Sequence, residues 1–384
     1  MNSVGAVVVV AVVASRVIVP LFIPRYPLPA ILAALVIDGV DQTVFQSVLS
    51  ASDWAKLADG YQGYDKALDV YYLTVAYTAT MRNWTNIYAL RWAEGLWLYR
   101  LCGVTIFEVL HNPSAPDSWR WVLFVFPNTF EYFFIAYEIV RLRWDPRRLS
   151  PRFVAWLVVF IWVVIKLPQE WWIHIAQLDF TDFAAEHAWV WPTLAALVVI
   201  AIPTTWWVVT RRLPPADWSM RIAADPLPDD LDTEAERAAY RAGTWREVDA
   251  NLVEKVVLTS LVCVIFGEIL PGNTASAAQL ALVVSVLVVV NSVTSLALWR
   301  RHISIERVSV DFLAVTALNV VTLLLLRAIS SRFVLDHALF FSLLISLIVV
   351  LYDRYRPVRD YRVAAAAKIG SGAPSRVQPR RPPS

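Results

Sequence analysis

Long runs of apolar residues recur along this chain, and they constrain its fold more than any other feature. The stretch 153–162, for example, reads Phe-Val-Ala-Trp-Leu-Val-Val-Phe-Ile-Trp. A helix needs about 20 predominantly apolar residues to cross a bilayer. Of the 384 residues, 58% are hydrophobic and 17% are charged, whereas a soluble domain has about 25% charged residues. The sequence therefore predicts an all-α polytopic membrane protein.

We predict about 11 transmembrane helices, within a range of 10 to 12. They lie at 4–23, 28–49, 68–84, 87–110, 119–140, 153–173, 188–209, 252–270, 277–298, 308–327 and 335–352. With eleven spans the Arg-rich loops all fall on one side, which the positive-inside rule makes cytoplasmic. The N-terminus is then outside and the C-terminus is cytoplasmic. Arg16 falls near the inner end of the first span, from where its side chain can snorkel to the interface.

Charge and hydropathy divide the chain into five regions. These are a polar-lined transmembrane half at 1–190, a seventh transmembrane helix at 191–210, a cytoplasmic loop with an amphipathic helix at 211–251, an apolar transmembrane half at 252–353, and a basic, disordered cytoplasmic tail at 354–384. In the loop, Thr233 and Glu236 have the spacing of a capping box, which predicts the start of a helix.

The sixth span carries a charged stripe. Lys166, Glu170 and His174 follow one another at steps of four, so at about 100° per residue they share one face of a helix. Charged side chains in a membrane helix face other helices or water, because exposure to lipid is costly. The stripe therefore predicts a polar interior within the helical bundle.

Polar side chains at helical spacing also occur in the second, fourth and fifth spans. The predicted lining of the interior consists of Asp38, Asp41, Gln42, Arg91, Glu94, Arg100, Asn128, Glu131, Lys166, Glu170 and His174. At a rise of about 1.5 Å per residue, Asp41, Lys166 and Arg100 lie at similar depths, so acids and bases are expected to pair. A buried carboxylate beside a cation can carry a proton or accept one from a substrate. The alternative is a salt-bridge network that only holds helices together. No residue is assigned a catalytic role.

Several kinds of site lack their motifs. The sequence has no phosphate-binding glycine loop, GxSxG, CxxC or HExxH motif, which argues against nucleotide-driven pumping, serine hydrolysis, thiol redox chemistry and zinc proteolysis. We predict no cofactor. No metal site is predicted either, because His174 and His187 lack the spacing of a ligand pair. The net charge of +2 is too small to indicate a nucleic-acid partner.

Three functions fit this pattern. The first is transport or permeation of a small solute or ion through the charge-lined interior. The second is a membrane-embedded transferase or other enzyme that acts on a lipid-linked substrate at the outer face, with the acidic outer loop 53–69 and the group Glu108, His111, Glu170 and His174 as its support. In outline the chain resembles polytopic glycosyltransferases that use polyprenyl-phosphate sugars, although the acidic pair of their first outer loop has no clear counterpart here. The third is a non-catalytic membrane assembly subunit.

The expected partners follow from the same features. They are the lipid bilayer, a small-molecule or lipid-linked ligand, and anionic lipid at the cytoplasmic tail, where Arg354, Arg356, Arg359 and Arg362 follow the last span. Arginine far outnumbers lysine among the 34 basic residues, as in GC-rich bacterial genomes. The expected location is therefore the plasma (inner) membrane of a bacterium.

Overall fold

The computed structural model of the chain describes residues 3–110, 119–177, 186–217, 221–244, 250–269 and 335–370, with single positions at 183, 278–279, 289 and 317. Regular structure within these residues is helical, with no strand, so the predicted all-α class is confirmed. The ninth and tenth predicted spans, at 277–298 and 308–327, lie outside these ranges. His111 and the tail at 371–384 also lie outside them.

The helices, in chain order, are α1 (Ser3–Ile18), α2 (Pro27–Val48), α3 (Ala51–Asn83), α4 (Ile87–Leu110), α5 (Arg120–Val125), α6 (Thr129–Arg141), α7 (Pro151–Ile175), α8 (Val190–Arg211), α9 (Glu234–Thr244), α10 (Ala250–Ile269) and α11 (Leu335–Gly370). Short 3₁₀ turns lie at Val19–Phe22, Pro146–Arg148 and Asp229–Leu231.

Four segments are long and apolar enough to cross a membrane. They are Ser3–Phe22, Pro27–Val48, Arg120–Arg141 and Pro151–Ile175, and α8 adds a shorter apolar stretch at Val190–Thr204. These helices support the prediction of a membrane protein. The count of about 11 spans and the orientation of the termini stay predictions.

The chain forms two compact units, one of residues 1–95 and 223–384 and the other of residues 96–222. In the first unit α3 is the central helix, with Tyr71, Val75 and Ala79 fully buried. Its start corrects the prediction, because the segment 53–69 is helical and not an acidic loop. The Ser50 hydroxyl caps the helix by accepting from the Asp53 N–H at 3.2 Å.

The last helix corrects a second boundary. The predicted disordered tail begins at 354, but α11 continues to Gly370. Ion pairs stabilise this extension: Arg356 binds Asp360 at 3.0 Å and also pairs with Glu254 on α10, while Arg359 pairs with Glu94. Two of the four arginines expected to bind anionic lipid thus also bind carboxylates of the protein. Lipid binding by this segment stays a prediction.

The capping box in the polar loop is confirmed. The Glu236 N–H donates to the Thr233 hydroxyl at 3.2 Å, and the Thr233 N–H donates to the Glu236 carboxylate at 3.0 Å. The pair stabilises the first turn of α9, which begins at Glu234. The loop between α8 and α10 therefore contains a helix, as the sequence predicts.

The second unit contains the later part of α4 and α5 to α8. The predicted fifth span, 119–140, is not one continuous helix, because α5 ends at Val125 and α6 begins at Thr129. Pro127 lies in the interruption and has no N–H with which to continue a helical ladder. Opposite it, Gly103 has no side chain, and a Cβ there would overlap the side chain of Phe126. The glycine thus allows the interrupted segment to approach α4.

Candidate functional site

The predicted polar residues separate into groups that belong to different units. Asp38 and Asp41 lie in the first unit, around Arg16. Arg100, Asn128, Glu131, Lys166, Glu170 and His174 lie in the second unit. Gln42 and Arg91 are exposed, and Glu94 pairs with Arg359. Most of the predicted polar residues that the structure describes thus fall into two clusters, one in each unit, each with its own partners.

The first group, the Arg16 cluster, consists of Arg16, Asp38, Asp41, Tyr61, Asp65 and Asp69. The Arg16 guanidinium lies 2.6 Å from the Asp69 carboxylate and 3.1 Å from the Tyr61 hydroxyl, and it also pairs with the three other aspartates. Arg16 is 4% exposed. The prediction that it snorkels to the interface is therefore wrong, because α2 and α3 supply four carboxylates that bind it within the bundle.

The Arg16 cluster has an excess of negative charge. Its four carboxylates face one guanidinium, and ligand oxygens of Asp38, Asp65 and Asp69 lie within 4.8 Å of one another. Carboxylate oxygens at this separation suit hard cations such as Mg²⁺ or Ca²⁺. The prediction of no metal site did not take these aspartates into account. The signal for this group was the i,i+4 spacing of Asp65 and Asp69 together with the i,i+3 spacing of Asp38 and Asp41.

The second group, the Glu170 site, is built on α7. The Lys166 ammonium lies 3.1 Å from Glu170 Oε1, and His174 Nε2 lies 3.0 Å from Glu170 Oε2. The side chains of Lys166 and Glu170 are each 5% exposed, and that of His174 is 17% exposed. The three residues therefore share a face, as their spacing predicts, and exposure increases toward the end of the helix.

Two π-helical segments flank this part of α7. They cover Ile161–Lys166 and Trp171–Ile175, on either side of a short α-helical stretch, Leu167–Glu170. π-Helical turns are rare and occur frequently at functional sites, because the extra residue redirects side chains from the regular α-helical positions. Lys166 and His174 each lie in one of these segments, so the irregular backbone coincides with the charged stripe.

The interruption between α5 and α6 lies against Glu170. The Asn128 backbone N–H donates to Glu170 Oε1 at 3.2 Å, and its side-chain Nδ2 donates to Glu131 Oε2 at 2.8 Å. Asn128 therefore bridges the two carboxylates. From α4, the Tyr99 hydroxyl donates to the Val125 carbonyl at 2.8 Å and Arg100 donates to the Phe126 carbonyl at 2.9 Å. These bonds satisfy backbone carbonyls that the interruption leaves without helical partners.

Two buried oxygen atoms at the interruption have no hydrogen-bond partner among the residues that the structure describes. They are Asn128 Oδ1 and the Thr129 hydroxyl, and Thr129 is 2% exposed. The amide orientation of Asn128 follows from its bond to Glu131, since only the NH₂ group can donate to a carboxylate. The two oxygens can thus accept hydrogen bonds from a ligand.

Lys166 is held by further contacts. Its ammonium donates to Gln169 Oε1 at 2.9 Å and lies 4.5 Å from the centre of the Tyr132 ring. Its acidic partner is Glu170, and the basic partner of Asp41 is Arg16. Similar depth in the membrane therefore did not identify these partners, because depth does not specify which helices are neighbours.

Comparisons of the chain with known protein families, with curated protein sequences and with solved structures gave no match. A functional assignment therefore depends on the geometry of the two clusters.

Proposed function

We propose that this chain transports or conducts a small solute or ion through a charge-lined interior, and that the Glu170 site binds the ligand. The observation that carries the proposal is the interrupted helix α5–α6, which lies beside a buried Lys–Glu–His stripe. Plasma-membrane location and contact with anionic lipid through the basic segment after 353 belong to the same proposal.

The position of the interruption supports this role. Arg120–Arg141 is a candidate membrane span, and Pro127 lies about 10 Å along it at 1.5 Å per residue. Non-helical backbone at membrane depth occurs where it is buried in protein or lines a cavity. Transporters use interrupted helices to place helix ends and carbonyl groups at the ligand.

The charges at the site point to the same function. Glu131 and Glu170 are 4% exposed, and so is Lys166. A charged side chain near the centre of a bilayer costs at least about 2.5 kcal/mol, so such residues are retained mainly in ion and substrate pathways or in close pairs. The contacts of Glu170 on three sides, with Lys166, His174 and Asn128, hold it in one position. A carboxylate positioned in this way can bind a ligand repeatedly without rearrangement.

The test is a flux assay on purified protein in liposomes, with a panel of small ions and polar solutes. We expect wild-type protein to accelerate the flux of at least one of them, and Glu131→Gln to reduce that flux at least tenfold with little change in melting temperature. Gln42→Ala, at an exposed position, is the control and should retain wild-type flux. No flux of any panel member above that of empty liposomes would count against transport. If Glu131→Gln leaves the flux unchanged, or lowers it only because the protein no longer folds, the charges have a structural role. This result is expected of an assembly subunit.

The Arg16 cluster favours the second candidate function, an enzyme that acts on a lipid-linked substrate. A divalent cation bound by Asp38, Asp65 and Asp69 would be able to bind the phosphate of such a substrate. Titration of the protein with Mg²⁺ or Mn²⁺ tests this function. It predicts a rise in melting temperature that Asp69→Asn abolishes, whereas equal responses of the two proteins would contradict it.

A further inference from the structure

We propose that the species passing through the Glu170 site is the proton, carried by a relay of His174, Glu170 and Glu131. This inference rests on the proposed transport function and names its substrate. It is carried by the contact of His174 with Glu170 and by the link from Glu170 through Asn128 to Glu131. It also rests on two oxygens, at Asn128 and Thr129, that have no hydrogen-bond partner among the described residues.

The relay begins at the end of a candidate span. His174 lies next to the last residue of α7. It is the most exposed of the three relay residues, with 17% of its side chain accessible. Its Nε2 is 3.0 Å from Glu170 Oε2. A neutral imidazole that donates from Nε2 has an acceptor nitrogen at Nδ1. A proton that binds Nδ1 therefore allows the Nε2 proton to pass to Glu170, which becomes a neutral carboxylic acid while His174 returns to its neutral form.

The second step passes through Asn128. Its two N–H donors hold Glu170 Oε1 and Glu131 Oε2, at 3.2 and 2.8 Å, so the two carboxylates are fixed on either side of one residue. Asn128 Oδ1 and the Thr129 hydroxyl accept no hydrogen bond from the described residues. A water molecule needs two to four polar partners in a buried site. These two oxygens and the two carboxylates can serve as such partners. Such a water can take the proton from Glu170 and deliver one to Glu131.

The fixed charges around the relay favour a proton over other ligands. Lys166 and His174 face Glu170 from α7, Arg100 faces it from α4, and Glu131 and Tyr132 face it from α6. In α5 the titratable residue is Arg120. The carboxylates of Glu170 and Glu131 and the cationic side chains of Lys166 and Arg100 sum to zero formal charge with His174 neutral. A bound anion would meet both carboxylates, and a metal ion would meet the Lys166 ammonium, which cannot be a ligand while protonated.

The path continues along α6. Glu138 lies seven residues after Glu131 on the same face, about 10 Å away at 1.5 Å per residue. It is fully buried and pairs with Arg141 at 2.7 Å. Titratable side chains thus occur near both ends of α6 and near the end of α7, as a pathway through the membrane requires.

The test uses the full chain in liposomes loaded with a pH-sensitive dye, with a potassium gradient and valinomycin to set the membrane potential. Wild-type protein should acidify the lumen, and Glu170→Gln should lower the rate at least tenfold. His174→Gln should lower it as well, with partial recovery on addition of imidazole, which can replace the missing proton acceptor. His187→Gln is the matched control, because the His187 ring stacks on Phe183 at 4.4 Å outside the relay.

Three results would overturn the inference, in different ways. Protein that moves an ion or solute from the panel but no protons would exclude the proton relay and leave the transport function standing. Protein that moves neither would exclude both. Proton flux that survives Glu170→Gln in protein of wild-type melting temperature would also exclude this relay.

Discussion

Replacement of Arg16 by glutamine should destabilise the first unit strongly. The Arg16 side chain is 3% exposed and binds four carboxylates. Asp38, Asp65 and Asp69 have oxygens within 4.8 Å of one another. At about that separation two ionised carboxylates repel by about 3.5 kcal/mol with an effective dielectric constant of about 20. Loss of one partner from a buried ion pair typically costs about 3–5 kcal/mol. We therefore expect Arg16→Gln to lower the free energy of unfolding by about 3–5 kcal/mol.

Chemical unfolding of the protein in mild detergent, monitored by tryptophan fluorescence, measures this loss of free energy. The 18 tryptophans of the chain provide the signal. Arg91→Gln is the matched control, because Arg91 is exposed and surface substitutions usually change stability by less than about 0.5 kcal/mol. Combining Arg16→Gln with Asp65→Asn and Asp69→Asn should recover part of the loss, since two of the four negative charges that repel one another are then removed.

An unfolding free energy for Arg16→Gln within about 0.5 kcal/mol of wild type would refute this reasoning, because such a change is no larger than that of a surface substitution. No recovery in the triple variant would show that the loss comes from packing of the arginine side chain and not from carboxylate repulsion.

Three further predictions concern a packing contact, an ion pair and a hydrogen bond. Gly103→Ala should destabilise the second unit by about 1–3 kcal/mol, because the added methyl group overlaps the segment between α5 and α6; chemical unfolding measures it. Lys255→Met should lower the free energy of unfolding by about 2 kcal/mol, since it removes a charged hydrogen bond of 2.7 Å to Asp353. A midpoint of unfolding equal to that of wild type would contradict this. The bond from Tyr361 to Asp230 raises the pKa of the Tyr361 hydroxyl, as burial does to a smaller extent. The stabilisation that this hydrogen bond provides is therefore fully present below the pKa of an unfolded tyrosine, about 10. It is lost as the pH rises through the higher pKa of the folded state. Melting curves from pH 8 to 11 should show a steeper alkaline loss for wild type than for Tyr361→Phe.

Local pattern identified much of the structure correctly. Four helices long and apolar enough to cross a membrane followed from apolar length, the start of α9 from Thr233 and Glu236, and the shared face of Lys166, Glu170 and His174 from their spacing. Each depends on residues a few positions apart, where helix geometry determines the contact. The sequence by itself thus determined the all-α class and which side chains of one helix lie together.

Only the tertiary structure decided which helices supply the partners. Arg16 pairs with aspartates 22 to 53 positions away, and no periodicity within α1 specifies such contacts. Asn128 similarly reaches Glu170 across 42 positions, because the chain leaves the helical path at Pro127. Contacts of this kind depend on the packing of separate helices, which brings buried charges together where their desolvation is offset by a partner. The two clusters therefore arise from packing between helices, whereas the polar stripes that contribute to them are local.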